Sequence, residues 1–184
     1  MSSDDPVDER RFILWRDSDR RLVILAGVLA VVLGIVLGLL YVVFTTVRIA
    51  GPSMEPALHD GDRVLITKGY DAPERGDIVS ATVPDEHGRS VRVIKRVVAL
   101  GGDTVEVHGD RAYVNGERVP GGANGDDVEL WIQPFVVPDG HLYVLGDNRA
   151  LSYDSRLVGP VPVGNVRGRV VAIIAPPHRF SIID

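Results

Sequence analysis

The pattern of apolar and polar residues divides the chain into two parts of different character. Residues 22–44 carry no charged side chain and are almost entirely aliphatic. A run of this length matches the roughly 20 residues that an α-helix needs to cross the hydrocarbon core of a bilayer. The apolar region of a cleavable signal peptide is shorter, about 7 to 15 residues. The sequence therefore predicts an uncleaved transmembrane helix over residues 22–44.

Charged residues are distributed unevenly on the two sides of this predicted helix. Residues 1–21 contain five arginines and six acidic residues, and we expect them to form a flexible tail. After the helix, Arg48 and Arg63 are the only basic residues within about 20 positions. The positive-inside rule therefore predicts a cytoplasmic tail and places residues 45–184 on the outer side of the cytoplasmic membrane.

Beyond the helix, apolar residues recur with the alternation and spacing of short strands, separated by turns rich in glycine, proline and asparagine. Because no amphipathic helix interrupts them, we predict a mostly β domain built on an antiparallel sheet. The predicted strands are 63–67, 77–83, 91–100, 104–107, 111–114, 117–119, 141–145 and 167–175. Asn115-Gly116 predicts a tight hairpin. Residues 121–127 have the composition of a loop, and we expect residues 103–137 to form a smaller inserted β lobe.

The overall composition narrows the possible chemistry. There is no cysteine, which excludes disulfides, thiol nucleophiles and zinc sites built on thiolates. The five histidines are scattered without a pair at i and i+4, so we predict no metal site. A net charge of -5 and the lack of a long basic run argue against a nucleic-acid partner.

One candidate for chemistry is Ser53. Pro52 and Pro56 lie on either side of it. Each proline fixes its own φ and biases the preceding residue toward extended geometry. The serine hydroxyl is therefore expected to be held in place. A lone serine in such a segment is more often a turn residue, so Ser53 needs a partner to suggest catalysis.

The second candidate is Lys95, in the predicted strand 91–100. Strand alternation places Lys95 on the same face as Val93 and Val97, which is an apolar face. Burial disfavours an ammonium and lowers its pKa, which leaves more of the neutral amine to act as a base. The chain has only two lysines and uses arginine at its other basic positions. A serine nucleophile with a lysine base is a known variant of the serine hydrolase site.

Several motifs, taken together, resemble those of bacterial type I signal peptidases. They are residues 51–58 (GPSMEPAL), 61–62 (GD), 76–79 (GDIV), 95–103 (KRVVALGGD) and 146–156 (GDNRALSYDSR). The resemblance spans nearly all of the chain after the predicted helix. It implies a membrane-bound serine endopeptidase that removes signal peptides from exported preproteins, with an antiparallel β-sheet catalytic domain and no cofactor. We further expect a monomer.

The resemblance also implies roles for individual residues. Ser53 would be the nucleophile and Lys95 the general base. Supporting residues would be a lysine-orienting serine and two ion pairs, namely Ser152, Asp154 with Arg156, and Asp147 with Arg96. An extended signal peptide would pair with two strand edges and place small side chains in shallow pockets. The predicted substrate-binding residues are Ile49, Ala50, Gly51, Arg92, Val93 and Ile94.

The chain departs from the family pattern at two positions. Ala57 stands where threonine is usual, and Gly51 stands where some members carry an oxyanion-hole hydroxyl. The second change is shared by a branch of the family. The oxyanion would then rely on backbone N–H groups, chiefly that of Ser53. Lys95 points to the bacterial type, because archaeal and endoplasmic-reticulum relatives have histidine at that position.

Three other functions compete with this interpretation. A Ser-His-Asp hydrolase would use His59 or His141 as its base. A self-cleaving repressor shares a Ser-Lys dyad on a related β fold but carries a DNA-binding domain, and residues 22–44 argue against it. A non-catalytic, membrane-anchored β domain that binds a partner would not need the Ser53 hydroxyl.

Overall fold

The computed structural model describes residues 7–122 and 130–183, and it gives side-chain surroundings from Arg20 onward. Residues 1–6 of the predicted tail and most of the predicted loop 121–127 lie outside these ranges. The chain divides into two units, Met1–Val42 and Val43–Asp184.

The first unit is built on a single α-helix, α1, which spans Val7–Val43. An 18-residue window within its segment Arg20–Val43 has a mean hydropathy of 3.1 and no buried residue, so the segment has the length and composition of a membrane span. The apolar helix predicted over residues 22–44 is present except for its last residue. The prediction of a flexible tail is wrong for residues 7–21, because these residues are helical. That segment contains neither glycine nor proline, so nothing in its backbone stops the helix.

The second unit is mostly β. Its strands are β1 (Phe44–Arg48), β2 (Arg63–Lys68), β3 (Ile78–Pro84), β4 (Ser90–Leu100), β5 (Thr104–His108), β6 (Arg111–Val114), β7 (Glu117–Arg118), β8 (Trp131–Val136), β9 (His141–Leu145), β10 (Val161–Pro162), β11 (Val166–Ala175) and β12 (Ser181–Ile182). One short α-helix, α2, spans Ser155–Val158. Every strand pairing among the described residues is antiparallel, so the predicted fold class is confirmed.

These strands form two sheets. The larger sheet has the order β1-β2-β11-β3-β4-β9-β10, with β12 paired to β11. The smaller sheet has the order β7-β6-β5-β8 and lies in sequence between β4 and β9. It is the inserted β lobe predicted over residues 103–137. At its hairpin between β6 and β7, Asn115 and Gly116 have φ values of 52° and 81°, as the Asn-Gly turn requires.

Each predicted strand is present, with ends that differ by a residue or two, whereas four strands were not predicted. β1 follows α1 without a polar break, so the apolar pattern gives no boundary there. β8 contains Pro134 and has a largely exposed pattern. β10 and β12 have two residues each, which is too short for a periodicity. Each of these four strands pairs with a predicted strand and so completes one of the two sheets.

The core beneath the Ser53 segment is what positions the site. This cluster combines residues of the segment itself with residues of β2, β3 and β11. Its buried members are Ile49, Met54, Leu58, Val64, Ile66, Ile78, Val170 and Ile173. β4 runs beside β3 along most of its length, while β9 pairs with β4 at residues 96–100. The other edge of the first half of β4 therefore has no partner strand among the described residues.

Candidate active site

Ser53 lies in a loop between β1 and β2 that is anchored by apolar side chains. Met54 and Leu58 are 1% and 0% exposed. The Leu58 N–H donates to the Met54 carbonyl at 2.9 Å, and the Glu55 N–H donates to the Pro52 carbonyl at 3.0 Å. Full burial of one such side chain contributes about 1.5–3 kcal/mol. The loop therefore holds the half-buried Ser53 in a defined position.

Lys95 lies on β4 and is only 4% exposed. Its Nζ donates to Ser53 Oγ at 2.8 Å and to the carbonyl oxygen of Ile94 at 3.0 Å. The two residues singled out in the sequence thus meet in space, although they come from different elements. A nitrogen to oxygen distance of 2.8 Å is within the range over which a proton can be transferred.

The surroundings of Lys95 favour its neutral form. Burial lowers the pKa of the Lys95 ammonium, because desolvation penalises the charged state. The nearby carboxylates of Asp154 and Asp147 act in the opposite direction, and Arg156 adds to the lowering. The net result is a pKa below the ordinary value for lysine.

Ser152 lies beside the dyad, next to Gly146. A Cβ at Gly146 would collide with Ser152 Oγ and with the Ser53 carbonyl oxygen, so glycine permits this close approach. The Asn148 N–H donates to the same Ser53 carbonyl at 3.1 Å. The hydrogen bond expected between Ser152 and Lys95 is not found. Among the described residues, Ser152 Oγ is buried without a hydrogen-bond partner, because the Lys95 amine is turned toward Ser53.

Two ion pairs flank the site, at the positions that the resemblance implied. Arg96 binds Asp147 through two hydrogen bonds of 2.8 and 2.7 Å. Arg156 binds Asp154 through two bonds of 2.8 and 2.9 Å, and the side chains of this pair are 5% and 0% exposed. Asp154 Oδ2 also accepts the Gly146 N–H at 3.0 Å. The second pair therefore supports the backbone at the point where Ser53 and Ser152 come together.

We expect Asp154→Ala to lower the free energy of unfolding by about 3–5 kcal/mol, because Arg156 is left buried without its partner. Turnover should fall as well, since the Gly146 N–H loses its acceptor. Thermal melting and cleavage kinetics in detergent measure both effects. Arg89→Ala is the control, because it breaks the exposed Arg89–Asp85 pair and should melt close to wild type. Equal melting of the two variants would contradict this prediction.

The predicted substrate-binding residues before Ser53 differ in whether their backbone N–H and carbonyl groups already make hydrogen bonds. The Ile49 N–H donates to the Asp62 carbonyl at 2.7 Å, and the Ile49 carbonyl accepts the Gly61 N–H at 3.0 Å. The Gly51 N–H donates to the Asp60 carboxylate at 2.8 Å. These groups are therefore not available to a bound peptide. The backbone of Ala50 makes no hydrogen bond among the described residues, and its side chain is exposed.

The predicted binding residues on β4 lie along a half-open edge. Arg92, Val93 and Ile94 pair with β3 on one side. On the other side, the pairing with β9 begins at Arg96. This edge precedes Lys95 and can accept an extended chain by antiparallel or parallel pairing.

The histidines that could serve as an alternative base contact other groups. The backbone N–H of His59 donates to the Asp62 carboxylate at 2.9 Å, and the ring Nδ1 of His141 lies 3.0 Å from the Asp139 carbonyl oxygen. No contact between described residues joins either histidine to Ser53. In the part of the chain that the structure describes, no three His, Asp or Glu side chains are grouped as metal ligands would be.

Sequence reasoning missed two arginines that hold the loops around the site. Arg149 is 3% exposed and donates to the carbonyls of Gly146 and Pro120, at 2.8 Å each. It lies within the GDNR motif, where a buried arginine could have been suspected. Arg179 binds Asp62 near the Ser53 loop, and nothing in its local sequence signals that contact.

A serine hydroxyl bonded to a buried lysine, on an antiparallel β domain, has the arrangement of serine hydrolases that use lysine in place of histidine. The family model described as signal peptidase, peptidase S26, matches residues 21–175. The chain belongs to this family, and the resemblance drawn from the motifs is confirmed.

Two relatives in sequence agree with this assignment. Over 143 residues the chain is 39% identical to probable thylakoidal processing peptidase 2 of Arabidopsis thaliana, covering 73% of this chain and 39% of that protein. It is 34% identical to signal peptidase I of Bacillus licheniformis, covering 74% and 75%. The chain is also similar to the one in a crystal structure of a signal peptidase I from Enterococcus faecalis, with 31% sequence identity. That match covers 53% of this chain and 96% of the other, with a TM-score of 0.40. The chain spans about two-fifths of the length of the thylakoidal relatives.

Proposed function

We propose that this chain is a membrane-anchored serine endopeptidase that removes signal peptides from exported preproteins, with Ser53 as nucleophile and Lys95 as general base. The observation that carries the proposal is the 2.8 Å contact between Lys95 Nζ and Ser53 Oγ, combined with the burial of the lysine. Membership of the signal peptidase family supplies the substrate class.

In the first half of the proposed reaction, the neutral Lys95 amine accepts the Ser53 hydroxyl proton while Ser53 Oγ attacks the scissile carbonyl. The resulting Lys95 ammonium donates that proton to the leaving amine, so the C–N bond breaks and an acyl-enzyme remains. In the second half, Lys95 takes a proton from water, and the hydroxide attacks the ester. The proton then returns to Ser53 Oγ as the acid product leaves.

Charge develops on the carbonyl oxygen in both halves of the reaction and needs preorganised donors. The Ser53 N–H is the proposed donor. The Gly51 N–H is already bound to the Asp60 carboxylate, so it is not the second donor unless that bond breaks. Asp154 with Arg156 and Asp147 with Arg96 would keep the loop around Gly146 in place. Ser152 would reach Lys95 by rotation of its hydroxyl group and side chain.

The proposed anchor is α1, with the N-terminal tail in the cytoplasm and residues 45–184 outside. Since β1 begins at Phe44, directly after α1, Ser53 follows by a stretch that spans at most about 30 Å when fully extended. The active site would therefore work close to the outer membrane surface on substrates that are themselves held in the bilayer. We propose that the enzyme acts as a monomer.

The proposed substrate is an extended signal peptide that pairs with Ala50 on one side and with the edge of β4 on the other. Successive side chains of an extended peptide point in opposite directions, so the first and third residues before the cut would face the same side. Small residues are expected at both positions, because the proposed pockets beneath them would be shallow. The Ile49 side chain, which is 6% exposed, would form part of the floor of these pockets.

The experiment that tests this function uses the full chain in detergent with a preprotein that has alanine at the first, second and third positions before the cut. Phenylalanine at the first or third position should lower kcat/KM at least about a hundredfold, since the side chain cannot enter the pocket. Phenylalanine at the second position, which points away, is the matched control and should be cleaved nearly normally. Equal cleavage of all three variants would refute the pocket assignment.

A further inference from the structure

The C-terminal segment contributes a contact through Arg179, a residue that follows the stretch matched by the family model, which ends at residue 175. Arg179 closes a short 3-10 helix, Pro177–Arg179, between β11 and β12. Its Nε donates to Asp62 Oδ1 at 2.9 Å, and its Nη2 donates to Asp62 Oδ2 at 3.0 Å. Paired bonds between a planar guanidinium and a carboxylate fix both distance and orientation.

Asp62 passes this constraint on to the loop that carries the nucleophile. Its Oδ2 accepts the His59 N–H at 2.9 Å. Its carbonyl accepts the Ile49 N–H at 2.7 Å, and the neighbouring Gly61 N–H donates to the Ile49 carbonyl at 3.0 Å. Residues 49–62 therefore form a loop closed at its base, and Ser53 lies within that loop.

The support behind Arg179 is part of the main sheet. β12 follows the 3-10 helix and pairs with β11 at Ala172 and Ile173, so the segment that carries Arg179 is held at both ends. The Asp62 side chain is 2% exposed and the Arg179 side chain is 24% exposed. Water therefore competes little for the carboxylate.

The Asp62 carboxylate stays ionised in this setting. Burial by itself would raise the pKa of Asp62, but the hydrogen bonds from Arg179 and from the His59 N–H outweigh it and leave the pKa below its usual value. The ion pair is consequently present at neutral pH.

We propose that Arg179 is a positioning residue of the active site: through Asp62 it fixes the closed loop 49–62, so that Ser53 Oγ stays in line with Lys95 Nζ. This inference rests on the proposed roles of Ser53 and Lys95. A misplacement of about 1 Å can lower a rate a hundredfold, which is why a contact far from the chemistry can control it.

The two hydrogen bonds from the Arg179 guanidinium to the Asp62 carboxylate form a fork. Removing this fork should lower turnover and leave substrate affinity nearly unchanged. In the full chain, Arg179→Ala is expected to lower kcat about 10- to 100-fold for a signal-peptide substrate while KM changes less than about threefold. Arg179→Lys keeps the charge but loses the fork, so its kcat should lie between those of Arg179→Ala and wild type. Activity is measured at a temperature at which circular dichroism shows each variant to be fully folded.

A matched control separates positioning from stability. Arg75 makes a similar fork to Asp103, a largely buried carboxylate that accepts the Leu100 N–H and has no described contact with the Ser53 loop. Arg75→Ala should lower the melting temperature but leave kcat at the wild-type value.

Different variants test the positioning role of Arg179 and the catalytic roles of Ser53 and Lys95. If kcat of folded Arg179→Ala equals that of Arg75→Ala, Arg179 does not position the site, and the inference is overturned. If Arg179→Ala does not fold, Arg179→Lys is the test. A wild-type kcat in folded Arg179→Lys would then overturn the inference. Full activity in Ser53→Ala would instead overturn the catalytic roles themselves.

Discussion

Ser53→Ala is expected to lower cleavage of a signal-peptide substrate by roughly 10⁴-fold or more. Without the hydroxyl there is no nucleophile, and only substrate binding and backbone donors remain to assist the reaction. The fold should be unaffected, because the loop is held by buried Met54 and Leu58 and not by the hydrogen bond between Ser53 Oγ and the Lys95 amine. Turnover and melting temperature, measured on the same detergent preparation, check both parts.

Ser90→Ala is the matched control. Ser90 begins β4, the strand that carries Lys95, and its side chain is exposed. This variant should cleave at the wild-type rate. Retained turnover in Ser53→Ala would exclude the dyad. If wild type and Ser53→Ala both fail to cleave yet bind the same partner, the non-catalytic β domain becomes the better description.

Lys95→Arg is expected to abolish cleavage to a similar extent. Arginine keeps its proton throughout the accessible pH range, so it cannot take the proton from Ser53. The planar guanidinium is also larger than the ammonium that fits between Ser53 and the Ile94 carbonyl. Lys68→Arg makes the same exchange at an exposed end of β2 and should leave turnover unchanged. Near-normal turnover in Lys95→Arg would show that Lys95 is not the base.

The pH profile of the wild-type enzyme gives a second test of Lys95. The neutral amine is the active form, so cleavage should rise with pH as the ammonium loses its proton. Because burial lowers the pKa of Lys95, the ascending limb should lie below the roughly 10.4 of free lysine. An ascending limb at or above that value would mean that a different group titrates.

The fold could be predicted from the sequence where the signal is local. In β4, alternation and β-branched residues predicted the strand, which begins one residue earlier than expected. The Asn115-Gly116 turn was likewise readable, because the positive φ values it needs suit these two residue types. The four missed strands depend on neighbours that the local sequence does not reveal, as in the two-residue strands β10 and β12.

The candidate site divides in the same way. Ser53 and Lys95 could be singled out because flanking prolines and strand alternation are short-range features. The contact between Arg179 and Asp62 joins residues 117 positions apart and depends on the path of β11 and β12. The direction of the Ser152 hydroxyl depends on packing around Gly146, so the motif could place Ser152 near the site but could not predict its hydrogen bond.

The burial of Lys95 also links the stability of the domain to pH. Since its pKa is lower in the folded chain than in the unfolded chain, the unfolded chain binds an extra proton between the two pKa values. The free energy of unfolding therefore rises with pH across that window. Below the window the folded domain has to bury an ammonium, and Lys95 lowers its stability. The property that makes this residue a base thus works against folding, so an apolar side chain of similar length at position 95 would produce a protein that is inactive but harder to unfold.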